Sequence, residues 1–209
     1  MNGFERRKEQ TRDRIRQAAL ELFKVHGIKK VSLSDIAGKA DVSPATIYNH
    51  FGSKEELVRE VVKWLFRSVL ERYELLLQEE RSFVEKLQMI VFDKAELLRQ
   101  FHGEVFQAMW SSDPEMKTFV DQAYQRSMQL FFALLDEGKK QGFVNRELSD
   151  GTILAYVDMF RGFILSRYPL SSDGEENAKL VGELSELFFY GLVGDSGQST
   201  LLLQKEKGR

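Results

Sequence analysis

The stretch ADVSPATIYNHFGSKEEL, residues 40–57, contains two helix starts, a proline and a Tyr-Asn-His run. Ser43-Pro44 has the form of an N-cap followed by the first helical position. The serine hydroxyl accepts a bond from an orphan backbone N–H, and proline has no N–H to leave unpaired. A short helix over about 44–51 follows, and Gly52 ends it. Ser53-Lys54-Glu55-Glu56 has capping-box spacing, so the Ser53 hydroxyl and the Glu56 carboxylate are each expected to satisfy a backbone donor as the next helix starts. A chain that stops and restarts so quickly is positioning a short rod.

Upstream of the rod, Ile15, Ala18, Ala19, Leu22 and Phe23 recur at helical spacing. They predict a first helix over about 9–26, with Gly27 as a left-handed stop and Ile28 closing over its last turn. Ser34 or Ser32 can cap a second short helix that buries Ile36, Ala37 and Ala40. Two helices joined across Asp41-Val42 make a helix-turn-helix, whose second member offers its N-terminal residues to base edges in a DNA major groove. Val42, Ile47 and Phe51 are expected to face the core, which leaves Ala45, Thr46, Tyr48, Asn49 and His50 to face out. Tyr48 has a structural alternative, covering the end of the first helix, and His50 has another, closing its own helix. Thr46 suits a thymine methyl or a phosphate. Lys54 stands where its ammonium and the backbone amides of a helix N-terminus can hold one phosphate together.

Downstream, apolar residues from Leu57 to Leu77 form a stripe wide enough to bury a long helix on more than one side. Ser82 and Glu85 form a second capping box, opening a helix to about residue 101. Asp113-Pro114 opens another that ends between Gly138 and Gly142, and Ser149-Asp150 opens one closed by Pro169. After the polar linker SSDGEEN, a last helix carries Leu180, Leu184, Leu187, Phe188 and Leu192. Residues 195–209 read as a frayed tail. The expected organisation is a helix-turn-helix unit over 1–52, a helical body over 53–194, and the tail.

With three prolines in 209 residues and little β-branched alternation, the fold class is all-α. The net charge of -2 favours neither a polyanion nor a membrane surface as partner, but it is unevenly distributed. Residues 1–54 carry 11 Lys and Arg against 6 Asp and Glu, and the remainder 19 against 26. A basic quarter suited to a phosphate backbone thus joins an acidic body. Without cysteine there is no disulfide framework, thiolate nucleophile or Cys-ligated zinc. The N-terminus has positive charge but no apolar run behind it, and no apolar stretch approaches the ~20 residues of a spanning helix, so a soluble cytoplasmic protein is expected. No histidine pair has metal-ligand spacing, and neither a glycine-rich loop before a helix nor a nucleophile motif is present. No enzyme, metal or cofactor is expected.

Residues from about 11 to 64, with ALELFKVHGIKKVSLSDIAGKADVS followed by ATIYNHFGSKEELV, resemble the N-terminal domain of the tetracycline-repressor (TetR) family of bacterial transcription regulators. The resemblance implies an all-helical homodimer. Each subunit would have a three-helix DNA-binding domain and a larger C-terminal helical bundle for ligand binding and dimerisation. It also implies that Ser32, Ser34, Ser43, Ala45, Thr46, Tyr48, Asn49, His50 and Lys54 occupy positions from which the family touches DNA. Two positions depart from the pattern. Asp41 replaces a usual glycine in the turn, where aspartate tolerates a left-handed backbone better than most residues, and Ala45 replaces another frequent glycine.

The body carries no motif of comparable specificity. Phe101, Phe106, Met109, Trp110, Phe131, Tyr156, Phe160 and Phe163 are candidates to line a pocket for a lipophilic effector, with packed core as the alternative for each. His102 and Arg161 are the polar candidates to orient a ligand, or they serve structural hydrogen bonds. Gly162, Gly182 and Gly191 permit close approach in the last two helices, which are expected to pair two subunits about a two-fold axis. The functional expectation is a repressor that binds a palindromic operator and is released by a small effector. The competing reading is a helical lipid- or protein-binding dimer whose DNA-binding head is idle.

Overall fold

The computed structural model describes residues 3–100, 113–167 and 174–192, and among them all the regular structure is helical. The helices are α1 (Gly3–His26), α2 (Leu33–Ala40), α3 (Pro44–Phe51), α4 (Lys54–Gln78), α5 (Phe83–Gln100), α6 (Pro114–Gln141), α7 (Asp150–Arg167) and α8 (Gly174–Leu192).

The capping chemistry sets most of these boundaries. Ser32, rather than Ser34, caps α2: its hydroxyl accepts from the Asp35 N–H at 3.1 Å, and its own N–H donates to the Asp35 carboxylate at 2.8 Å. Ser43 accepts from the Thr46 N–H at 3.1 Å with Pro44 at the first helical position, and Gly52 ends α3 at φ 80°, a left-handed value costly for a side-chain-bearing residue. At α4 only half of the expected box forms. Ser53 accepts from the Glu56 N–H at 3.1 Å, while the Glu56 carboxylate bonds the guanidinium of Arg59, a stronger donor one turn along its own helix. Ser82 and Glu85 make the full reciprocal pair at α5, and Asp113 and Ser149 cap α6 and α7.

Two boundaries differ from the sequence reading. Helix α1 starts at Gly3, about two turns earlier than expected, because the Glu, Arg, Lys and Gln residues of its first turns are good helix formers even with no face to bury. Helix α8 starts inside the polar linker, at Gly174, with Glu175 and Glu176 in its first turn, where acidic side chains favour the helix dipole. The expected tail, residues 195–209, lies outside the described residues.

Two buried clusters organise these helices. The first joins Ile15, Ala19 and Phe23 of α1, Ile36, Ala37 and Ala40 of α2, Ile47 and Phe51 of α3, and Leu57, Val61 and Val62 of α4. Met116 of α6 is buried in the same cluster. Alanines on both α1 and α2 let those helices lie close together. The second cluster is built from Phe83, Val84 and Leu87 of α5, Leu134 and Leu135 of α6, Val144, and Ile153 of α7. There, a Cβ placed on Gly138 would come within 2.7 Å of both the Phe83 ring and a Val144 methyl. Helix α4 bridges the clusters: its first half lies in one, and Leu77 packs against the other.

Candidate nucleic-acid interface

Helix α3 is held on three sides, and the side left over is the candidate reading face. Ile47 is 0% exposed and Phe51 is buried beside it, while Ser43, Ala45 and Asn49 are exposed and Tyr48 is 55% exposed. The turn before the helix passes through Asp41 at φ 52°, ψ 54°, the one non-glycine residue of positive φ among the described residues. Its N–H reaches the Gly38 carbonyl at 3.4 Å, and the Val42 N–H reaches Ala37 at 3.0 Å, so the α2 C-terminus is closed as a glycine would close it.

The other expected contact residues divide by how far their polar groups are already engaged. The Thr46 hydroxyl lies 2.9 Å from the hydroxyl of the exposed cap Ser43, and Thr46 itself is half-buried. The Ser32 hydroxyl donates to Asp35 at 2.6 Å, and hydrogen bonds from Ser32 hold the Asp35 carboxyl below its ordinary range. Ser34 is exposed, and Lys54 is half-buried at the first position of α4. His50 is half-buried too, its Nδ1 enclosed without a partner. Burial first, then the charges of Arg12 and Lys8, hold the imidazole below its ordinary value, partly offset by Glu9. His50 is therefore a neutral edge of the rod rather than a cation offered to phosphate.

Arg12 is the residue the sequence reading missed. Its guanidinium donates to the His50 carbonyl at 3.1 Å and to Glu60 of α4 at 3.2 Å, and lies 4.8 Å from the Phe51 ring centre. A cation at the C-terminal end of α3 meets the negative end of the helix dipole, so one side chain ties α1, α3 and α4 together. The signal was present in the sequence, since Arg12 continues the stripe of Ile15, Ala19 and Phe23, a phase at which a basic residue is not left in solvent.

A second set of contacts joins the head to the body. Arg59 of α4 pairs with Asp113, the N-cap of α6, and Lys63, 5% exposed, pairs with Glu115 in the first turn of that helix. With Met116 buried in the head cluster, the start of α6 is keyed to the first half of α4.

Of the expected effector residues, Phe131 and Tyr156 come together around Phe188, at ring separations of 5.9 and 5.0 Å, and all three are half-buried against the body cluster. Phe101, His102, Phe106, Met109 and Trp110 lie outside the described residues, as do the side chains of Phe160, Arg161 and Phe163. Among the described residues no group of three or more His, Asp or Glu side chains is arranged to hold a metal ion, and no helix is long and apolar enough to cross a membrane.

Residues 15–61 match the family model described as bacterial regulatory proteins, tetR family. The chain is 28% identical over 154 residues to the HTH-type transcriptional repressor KstR2 of Mycolicibacterium smegmatis, covering 70% of this chain and 73% of that one. In overall structure it is similar to a TetR transcription regulatory protein from Mycobacterium vanbaalenii, with TM-score 0.61, 18% identity, and coverage of 91% of this chain and 99% of that one. It is also similar to FadR of Bacillus subtilis, solved in complex with stearoyl-CoA, with TM-score 0.56, 23% identity, and coverage of 86% and 98%.

Proposed function

Because this chain belongs to the TetR family of bacterial regulatory proteins, we propose that it is a transcriptional repressor that binds a palindromic operator as a homodimer and is released by a small, lipophilic effector held in its helical body. The observation that carries the reading is the asymmetry of α3, with Ile47 and Phe51 locked inward while Tyr48, Ala45 and Asn49 stand in solvent beside the half-buried Lys54. Tyr48 and Asn49 serve the groove and its phosphates, and Ser32, Ser34, Ser43, Thr46 and His50 line the flanks of the contact. Lys54 holds a phosphate together with the α4 amides.

Pairing of subunits through α7 and α8 is supported by apolar side chains left exposed there, Leu154, Met159 and Leu187. Two-fold pairing would set the reading helices about 34 to 36 Å apart, one turn of DNA. The effector would act through the Arg59–Asp113 and Lys63–Glu115 pairs, since any displacement of α6 is passed to the first half of α4. It shifts the DNA-bound population only by its difference in affinity between the two states.

The test is retention of genomic fragments by the purified protein, followed by affinity measured against salt. Tyr48→Ala should weaken binding to the retained fragment by about tenfold, and Lys54→Ala should lower the slope against log salt by about one. Affinity that ignores both salt and sequence would overturn the proposal in favour of an idle head.

A further inference from the structure

The two ends of the reading helix are fixed by different means. Its N-terminus is closed by its own cap, Ser43, through chemistry local to the chain. At its C-terminus the last carbonyls have no partner within the helix. Among the described residues, one hydrogen bond from another helix reaches α3 there, from the Arg12 guanidinium of α1 to the His50 carbonyl at 3.1 Å. The other terminal nitrogen of the same guanidinium donates to the Glu60 carboxylate of α4 at 3.2 Å. Glu9 stands farther from Arg12, at 4.0 Å, and pairs with Arg16. A guanidinium is a rigid planar fork, so its two acceptors are held at one separation, and the Phe51 ring braces it from 4.8 Å. A displacement of Glu60 turns the fork, and the fork carries the end of α3 with it.

Glu60 sits on the turn of α4 that α6 also grips. Its neighbour Arg59 pairs with Asp113 at the α6 N-cap, and Lys63 pairs with Glu115. Consecutive residues point about 100° apart around a helix, so one turn of α4 holds the body on one side and the edge of the head on another. The Arg12 and Glu60 side chains remain 25% and 30% exposed. Ion pairs in contact with solvent contribute little to stability, so what this one fixes is position. The His50 carbonyl lies one residue past Asn49 and two past Tyr48, both exposed on the reading face. Hydrogen bonds to base edges survive only within about half an ångström of their best length, which makes that position matter.

Building on the operator reading above, we infer that Arg12 is a positioning residue for operator recognition. It touches no DNA itself; with Glu60 it makes the placement of Tyr48 and Asn49 in the groove depend on where α4 stands. A chain of contacts runs from Asp113 through Arg59 and Glu60 to Arg12 and the last carbonyls of α3, joining the body to the face that reads.

Contiguity alone does not demonstrate coupling, so the test measures it. The affinity of the purified full-length protein, corrected for active fraction, is measured across salt for its retained genomic fragment and for an unrelated duplex. Arg12→Gln should weaken binding to the retained fragment about tenfold, leave the unrelated duplex within about twofold, and leave the slope against log salt unchanged. Glu60→Gln, which keeps an acceptor, should weaken the retained fragment about threefold, and it replaces Arg12→Gln throughout if that variant does not fold. Asp113→Asn keeps the α6 cap and gives up the charge opposite Arg59; it should change specific affinity about threefold in the wild type and less than about 1.5-fold beside Arg12→Gln. Effects that simply multiply, or an Asp113→Asn without effect, overturn the link to the body. A salt slope lowered by about one would make Arg12 a phosphate contact, and equal losses on both duplexes would make it a general support of the fold; either overturns the inference, as does no loss at all. A wild type that prefers no fragment overturns the operator reading and this inference with it, whereas normal retention that ignores Arg12 overturns this inference alone.

Discussion

The head cluster and the body cluster both have mainly aliphatic buried centres, and they differ in the rings packed around them. In the head, Ile15, Ala19, Ile36, Ile47 and Leu57 are all 0% exposed, with Phe23 and Phe51 buried in the same cluster. In the body, rings meet rings, Phe83 with Phe143 at 5.9 Å and Tyr156 with Phe188 at 5.0 Å, and Phe131, Phe143, Tyr156 and Phe188 are only half-buried. Interdigitated aliphatics fix one arrangement, because any shift opens a void. Stacked rings keep much of their contact while sliding over one another. Under the proposed function, the contrast suits a rigid part that presents a reading face and a more yielding part that takes an effector.

The largest expected effect tests the rigidity of the head. Ile47→Ala should cost about 2 to 5 kcal/mol in urea denaturation, and the half-buried Phe131→Ala about 1 to 2. Equal losses would break the comparison. Next, Gly138→Ala forces a methyl against Phe83 and Val144 and should cost about 1 to 3 kcal/mol, with operator affinity per folded molecule unchanged. A loss of DNA binding in that variant would mean that strain in the body is transmitted directly to the head.

In the turn, Asp41→Val puts a β-branched residue at φ 52° and should cost about 1 to 2 kcal/mol. Asp41→Gly should change stability by less than about 0.5 kcal/mol, since relief at the turn is offset by a more flexible unfolded chain. The smallest effect concerns pH. The folded chain holds His50 below its ordinary value, so the unfolded chain takes up the proton first as pH falls. The stabilisation is fully present above about pH 6.5 and declines as pH drops towards the depressed folded value. Urea midpoints of the wild type should therefore fall more over that window than those of His50→Gln; parallel curves would rule out the buried imidazole as the cause.

Where one short-range rule decides, the sequence was readable. Ser43-Pro44 to Gly52 gave α3 its limits, and Ser82 with Glu85, Asp113-Pro114 and Ser149 marked the other helix starts. The exposed Tyr48 and buried Ile47 followed from helical phase alone. What stayed hidden depends on partners distant in the chain. Glu56 had two donors within reach, and the choice of Arg59 turned on a guanidinium's strength. Arg12 meets His50 and Glu60 only once three helices are packed, and Met116 joins the head cluster from a helix that starts more than fifty residues after α4 does. Phe131 and Tyr156 were legible as aromatic body residues, but their meeting at Phe188 was not, because periodicity carries no information on which stripes face each other.

The burial of Met116 bears on how such proteins are recombined. A chimera that transplants α1 to α3 onto another regulator's body would carry one half of a lock and leave its key behind. Leu57, Val61, Val62 and the Asp113–Met116 turn belong to the same fitting. Exchanges of DNA specificity should travel better as changes to the outward residues of α3 alone, with the seam below left as a matched set.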